Sequence, residues 1–90
     1  MPVTAVIKHH VEDYDAWRAA YDGFASAQEA GGVTHESVHR ASGDPNDVLV
    51  IHGFRTLADA ETFLGGSELR DAMQRAGVAG PPHIEIYEDA

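Results

Sequence analysis

Val3 to Val11 (VTAVIKHHV) alternates with a period of two. Val3, Ala5, Ile7, His9 and Val11 take one parity, and Thr4, Val6, Lys8 and His10 the other. That period is the signature of a strand. Both parities stay fairly apolar until the final turn, which predicts a central strand covered on both sides. Asp13 then stands where a helix N-cap is needed. Tyr14, Trp17, Tyr21, Phe24 and Gln28 recur at helical spacing, with Asp15, Arg18, Asp22 and Glu29 on the other face. An amphipathic helix to about Ala30 follows, ended by Gly31-Gly32, where positive φ is easily adopted. Gly23 falls inside that helix at a cost of roughly 1 kcal/mol against Ala and is read as tolerated.

Val33 to Ala41 (VTHESVHRA) alternates again but is more polar, which predicts an edge or half-exposed strand. Ser42 to Asp47 is dense in turn formers, and Val48 to Phe54 (VLVIHGF) is a strongly apolar strand. The two strands predict a hairpin with a loop of moderate length. Thr56 with Asp59 resembles a capping box at the start of a second helix. Leu57, Ala60, Phe63 and Leu64 form its apolar stripe. Gly65-Gly66 interrupts that helix, and Ser67 caps a further short one with Leu69, Ala72, Met73 and Ala76 inward. After Gly77, Ala79-Gly80-Pro81-Pro82 reads as an extended connection. His83 to Glu88 (HIEIYE) is the last strand.

The order βαββαβ predicts an α+β, ferredoxin-like domain over residues 1–90, with one four-stranded antiparallel sheet and both helices on one face. Val6, Leu49, Ile51, Ile84 and Ile86 are assigned to one sheet face and Val3, Ile7, Val48 and Val50 to the other. A sheet apolar on both sides needs two covers. With no further elements in the chain, the expected second cover is another copy, a two-fold homodimer packed sheet to sheet.

Composition narrows the function. Six Lys+Arg against fifteen Asp+Glu give a net charge of −9. Nucleic acid and anionic lipid call for a basic face, so neither is an expected partner. There is no Cys, hence no thiol nucleophile or thiolate metal site. No apolar run approaches the roughly 20 residues of a membrane span. No basic segment followed by a long apolar run marks a leader, so a cytoplasmic location is expected.

Six histidines are many for 90 residues. His changes charge near neutral pH and is the commonest metal ligand. His9 shares a parity with Ile7 and Val11, and His52 with Val50 and Phe54. The first and third strands of a ferredoxin-like sheet are neighbours, so His9 and His52 are expected to approach each other beneath Trp17, Tyr21 and Phe24. This is the leading candidate site. A histidine there is the expected general base, taking a phenolic or α-keto proton from a bound small molecule. Trp17, Tyr21, Phe24 and Tyr87 are the candidate ligand contacts. Equally, the histidines and rings can be plain packing. His35 and His39 stand roughly 13 Å apart along a strand, too far for one metal. No dedicated metal site is expected.

Several segments together resemble a family: His9 with Val11-Glu12-Asp13-Tyr14-Asp15-Ala16-Trp17, Gly43-Asp44-Pro45-Asn46-Asp47-Val48, Ser67-Glu68-Leu69-Arg70-Asp71-Ala72-Met73, and Ala76 to Pro82. The chain is similar to small stand-alone members of the antibiotic-biosynthesis-monooxygenase-like dimeric α+β-barrel superfamily. The resemblance implies a dimer and a monooxygenase acting without a cofactor on an aromatic or polyketide-like molecule. The superfamily is functionally diverse, and fold alone does not choose among its activities. Pocket Asn residues of its oxygenase and haem-degrading members have no counterpart, since the sole Asn, Asn46, is placed in the hairpin turn. The alternatives are a non-catalytic ligand-binding or structural dimer and a metal- or haem-binding dimer.

Overall fold

A computed structural model describes all 90 residues, Met1–Ala90. The elements are β1 (Val3–Val11), α1 (Tyr14–Gly23), α2 (Ala25–Ala30), β2 (Val33–Ala41), β3 (Asp44–Phe54), α3 (Leu57–Leu64), α4 (Ser67–Arg75) and β4 (Val78–Glu88). The strands form one antiparallel sheet in the order β2-β3-β1-β4. This is the expected ferredoxin-like α+β arrangement, with the first predicted helix broken in two at Phe24 and the second interrupted at Gly65-Gly66 as the sequence indicates. No helix is long and apolar enough to cross a membrane.

The caps are local consequences of sequence. Asp13 Oδ2 accepts from the Ala16 N–H at 3.0 Å, and Thr56 Oγ1 from the Asp59 N–H at 3.1 Å. A second bond anchors the start of α1, where Asn46 Oδ1 accepts from the Tyr14 N–H at 3.0 Å. Ser67 is not a cap: Gly66 holds that position without a side-chain bond, and Ser67 is the first helical residue. Gly23 is more than tolerated. It is the last residue of α1, and Phe24 joins the two short helices.

Two strands are longer than the turn-forming residues suggest. β3 begins at Asp44, leaving Ser42-Gly43 as the hairpin turn, and the ladder skips from Arg40↔Val48 to Ala41↔Asp44. β4 begins at Val78, so Ala79 to Pro82 belong to the strand. There the register jumps from Lys8↔His83 to His10↔Ala79. Bulges absorb the residues that a regular ladder cannot pair, and Gly80 supplies a φ of 73°.

Cross-strand pairs define the faces. Val3, Ala5, Ile7 and His9 oppose Phe54, His52, Val50 and Val48 on β3. Ala5 and Ile7 oppose Ile86 and Ile84 on β4. Directly opposed residues share a face, so Ile84 and Ile86 lie with Ile7, not with Val6 as assigned from parity. The core is this inner face with Trp17 and Ala60 from the helices. The outer face keeps only Val6, Leu49 and Ile51 as half-buried aliphatics. Gly53 is buried there because the His35 ring occupies the space a Cβ would take.

Candidate active site

A cavity of about 60 Å³ lies between the inner sheet face and the helices. Ile7, His9, Val50 and His52 form its floor. Trp17, Tyr21, Phe24 and Gln28 form one wall, and Leu69 and Met73 of α4 lie across it. Most of the lining is apolar, with a few polar groups, the usual composition of a small-molecule site.

The sheet register places the two histidines. His52 opposes Ala5 and His9 opposes Val48, with the Ile7↔Val50 pair between them. They line one cavity but do not approach as a pair, because four strand positions span roughly 13 Å. The rings of α1 bridge the gap. His9 lies 5.5 Å from Trp17 between ring centroids, Trp17 stacks on Tyr21 at 5.0 Å, and Tyr21 stacks on His52 at 6.1 Å. Phe24 packs on Phe63 at 6.2 Å, and Phe63 also meets the edge of His52.

The hydrogen bonding is unequal at the two ends. Tyr21 Oη donates to Glu36 Oε2 at 2.9 Å and lies 3.1 Å from His52 Nε2. His52 Nδ1 and both nitrogens of His9 are buried without a partner. Burial pushes the His52 pKa down to about 4, against a smaller upward pull from the Glu36 carboxylate. Burial also lowers His9. Tyr21 is raised well above the ordinary phenol range, first by burial and then by its bond to Glu36. At neutral pH the cavity therefore holds two uncharged imidazoles and a protonated phenol.

Five of the six residues singled out from sequence line this cavity: His9, Trp17, Tyr21, Phe24 and His52. Tyr87 does not. It opposes Thr4 on the outer face, is 53% exposed, and donates to Glu85. Two participants escaped the sequence reading. Gln28 was legible as part of the helical stripe but not as a buried polar group. Glu36 opposes His52 across β2 and β3, and its parity with Val38 was the available signal. Arg40 stacks over Tyr14, 4.2 Å from the ring centre. His10, His39 and His83 stay exposed, and no group of three metal-binding side chains comes together.

No protein-family model matches the chain, and no curated protein matches it. Solved structures do. One, from Bordetella bronchiseptica, is named a putative antibiotic biosynthesis monooxygenase. It superposes with a TM-score of 0.83 over 99% of this chain and 97% of that one, at 12% identity. SnoaB of Streptomyces nogalater, named a cofactor-independent oxygenase, gives a TM-score of 0.80 over 99% and 93%, at 13% identity. This chain has the antibiotic-biosynthesis-monooxygenase fold. Rv0793 of Mycobacterium tuberculosis shares it too, with a TM-score of 0.73 over 100% and 96% at 12% identity. Within this fold, the candidate site lies where the inner sheet face meets α1.

Proposed function

We propose that the protein is a monooxygenase that acts on an uncharged aromatic, polyketide-like molecule, with a pocket histidine as general base. The observation that carries this reading is the set of three unpaired imidazole nitrogens buried in an apolar cavity. Buried polar groups are normally paired, and each exception calls for an explanation. A ligand bearing hydroxyl and carbonyl groups supplies the missing partners. No Lys or Arg lines the cavity, so an uncharged ligand is favoured over a carboxylate. The fold shared with SnoaB agrees with this chemistry.

An imidazole takes a proton from an activated CH₂ or from the phenol conjugated to it. The carbanion so formed adds dioxygen at carbon. The peroxide then loses water, leaving a ketone. One oxygen atom enters the product and the other leaves as water; all four electrons come from the substrate. His52 and His9 are the candidate bases, and Trp17, Tyr21 and Phe24 hold the ring. The cavity of about 60 Å³ is smaller than the roughly 150 Å³ that holds benzene in an engineered core. Substrate entry therefore displaces Leu69 and Met73 on α4, a helix with no buried residue.

The working unit in this proposal is a homodimer joined through Val6, Leu49 and Ile51 on the outer face. A panel of polycyclic phenols is offered under labelled dioxygen. The expected result is one labelled oxygen gained and two hydrogens lost, with turnover abolished in a His9→Phe, His52→Phe double variant. Turnover undiminished in that folded variant removes the histidines from the chemistry. No uptake with any member of the panel removes the oxygenase reading.

A further inference from the structure

We propose that Glu36 is a positioning residue. Acting through Tyr21, it holds His52 as the Nε2–H tautomer and so makes Nδ1 the basic atom of the site. The inference rests on the reading of this cavity as an acid–base site, and it assigns the base within it.

The Tyr21 hydroxyl has one proton and two groups able to accept it, Glu36 Oε2 at 2.9 Å and His52 Nε2 at 3.1 Å, while the Gln28 amide acts on the same oxygen as a donor and does not compete for that proton. A hydrogen bond to a carboxylate is charge-assisted and the stronger of the two, so the proton is directed to Glu36. The phenolic oxygen then has only lone pairs to offer His52, and Nε2 must be the donor. A neutral imidazole carries one N–H, which leaves Nδ1 with a bare lone pair. That atom is buried with no partner in the protein. The other tautomer fails twice. It buries an unpaired N–H at Nδ1, and it sets two acceptors, Nε2 and the carboxylate, against a single hydroxyl proton.

The arrangement follows from the fold. Glu36 and His52 are cross-strand partners on the inner face, and Tyr21 reaches both from α1. The chain carboxylate–phenol–imidazole has the logic of base and orienting group found in catalytic triads. When Nδ1 takes a substrate proton, positive charge appears on a buried ring. Tyr21 transmits the carboxylate's stabilisation to Nε2–H while Glu36 itself stays at the solvent edge. His9 has no such orienting partner, which is why the base is assigned to His52.

The test reads the tautomer directly, by nitrogen-15 NMR of the histidine rings in ligand-free protein at neutral pH. Wild type should show His52 protonated at Nε2. In Glu36→Gln, where an amide can donate as well as accept, and in Tyr21→Phe, where the acceptor is gone, His52 should become a mixture of tautomers. Glu85→Gln, on the outer face, should leave the pattern unchanged. In turnover, Glu36→Gln should lower kcat by about 10- to 100-fold with KM little altered, the loss typical of an orienting partner. An Nδ1–H tautomer in wild type, or an unchanged Nε2–H tautomer in both variants, overturns the proposal. The spectra need no substrate, so the assignment of Glu36 and the oxygenase reading fail separately.

Discussion

Acid should weaken this protein through His52, and the size of the effect can be worked from its surroundings. The ring is 4% exposed, and its pKa falls from 6.5 to about 4 on folding. Because the folded value is depressed, the unfolded chain binds the proton first as pH drops. The stabilisation is complete above pH 6.5 and is lost between there and about pH 4. The full change corresponds to about 3 kcal/mol, and most of it is gone by pH 4.5. That is a large share of the roughly 5–15 kcal/mol that holds a domain together. His9 shifts in the same direction and adds to the loss. The experiment is urea unfolding followed by far-UV circular dichroism at several pH values, at one protein concentration, for wild type and His52→Gln. The carboxylates contribute to both proteins and cancel in the difference. Wild type should lose roughly 2–3 kcal/mol more than the variant on going from pH 7 to 4.5, which at urea slopes of about 1–3 kcal/mol/M separates their midpoint shifts clearly. Parallel losses in the two proteins would mean that His52 is hydrated or charged in the fold, and the description of the cavity would fall with it.

Other perturbations separate packing from chemistry. His9→Phe removes two unpaired buried nitrogens and should stabilise the fold by about 1–3 kcal/mol, seen as a rise of several degrees in Tm, while substrate binding weakens. A fall in Tm would mean that the His9 nitrogens are satisfied. Trp17→Ala should cost about 3–5 kcal/mol in chemical denaturation, since this ring is buried between His9 and Tyr21; a negligible cost would make it a movable lining. The proposed outer-face homodimer predicts a two-chain mass for wild type and a one-chain mass for Ile51→Lys in light scattering; a monomeric wild type refutes the dimer, and an unchanged dimeric mass in the variant refutes this face as its contact.

The fold was legible from sequence because its elements are locally determined. Alternation in Val3–Val11, the cap at Asp13 and the aromatic stripe from Tyr14 to Phe24 each follow from neighbours a few residues away. The candidate site was legible to the same depth, since the parity of His9 and His52 and the spacing of Trp17 and Tyr21 put all four between sheet and helices. What escaped depends on register. The ladder between β1 and β3 separates His9 from His52 by an intervening pair, and nothing local encodes that offset. The bulges at Asp44–Asp47 and Ala79–Pro82 draw turn-forming residues into strands. The β1–β4 pairing returns Ile84 and Ile86 to the inner face. Glu36 meets Tyr21 only because β2, β3 and α1 converge, although these residues are far apart along the chain.

Trp17 is the only tryptophan in the chain, and it stands midway along the ladder of rings that joins the two histidines. The long-wavelength emission of the protein therefore originates from one indole at the wall of the cavity. A molecule entering displaces the surroundings of that indole before it reaches anything else that emits there. The site carries its own optical gauge, and occupancy can be followed by colour and brightness in unlabelled protein, even for a ligand whose identity has yet to be found.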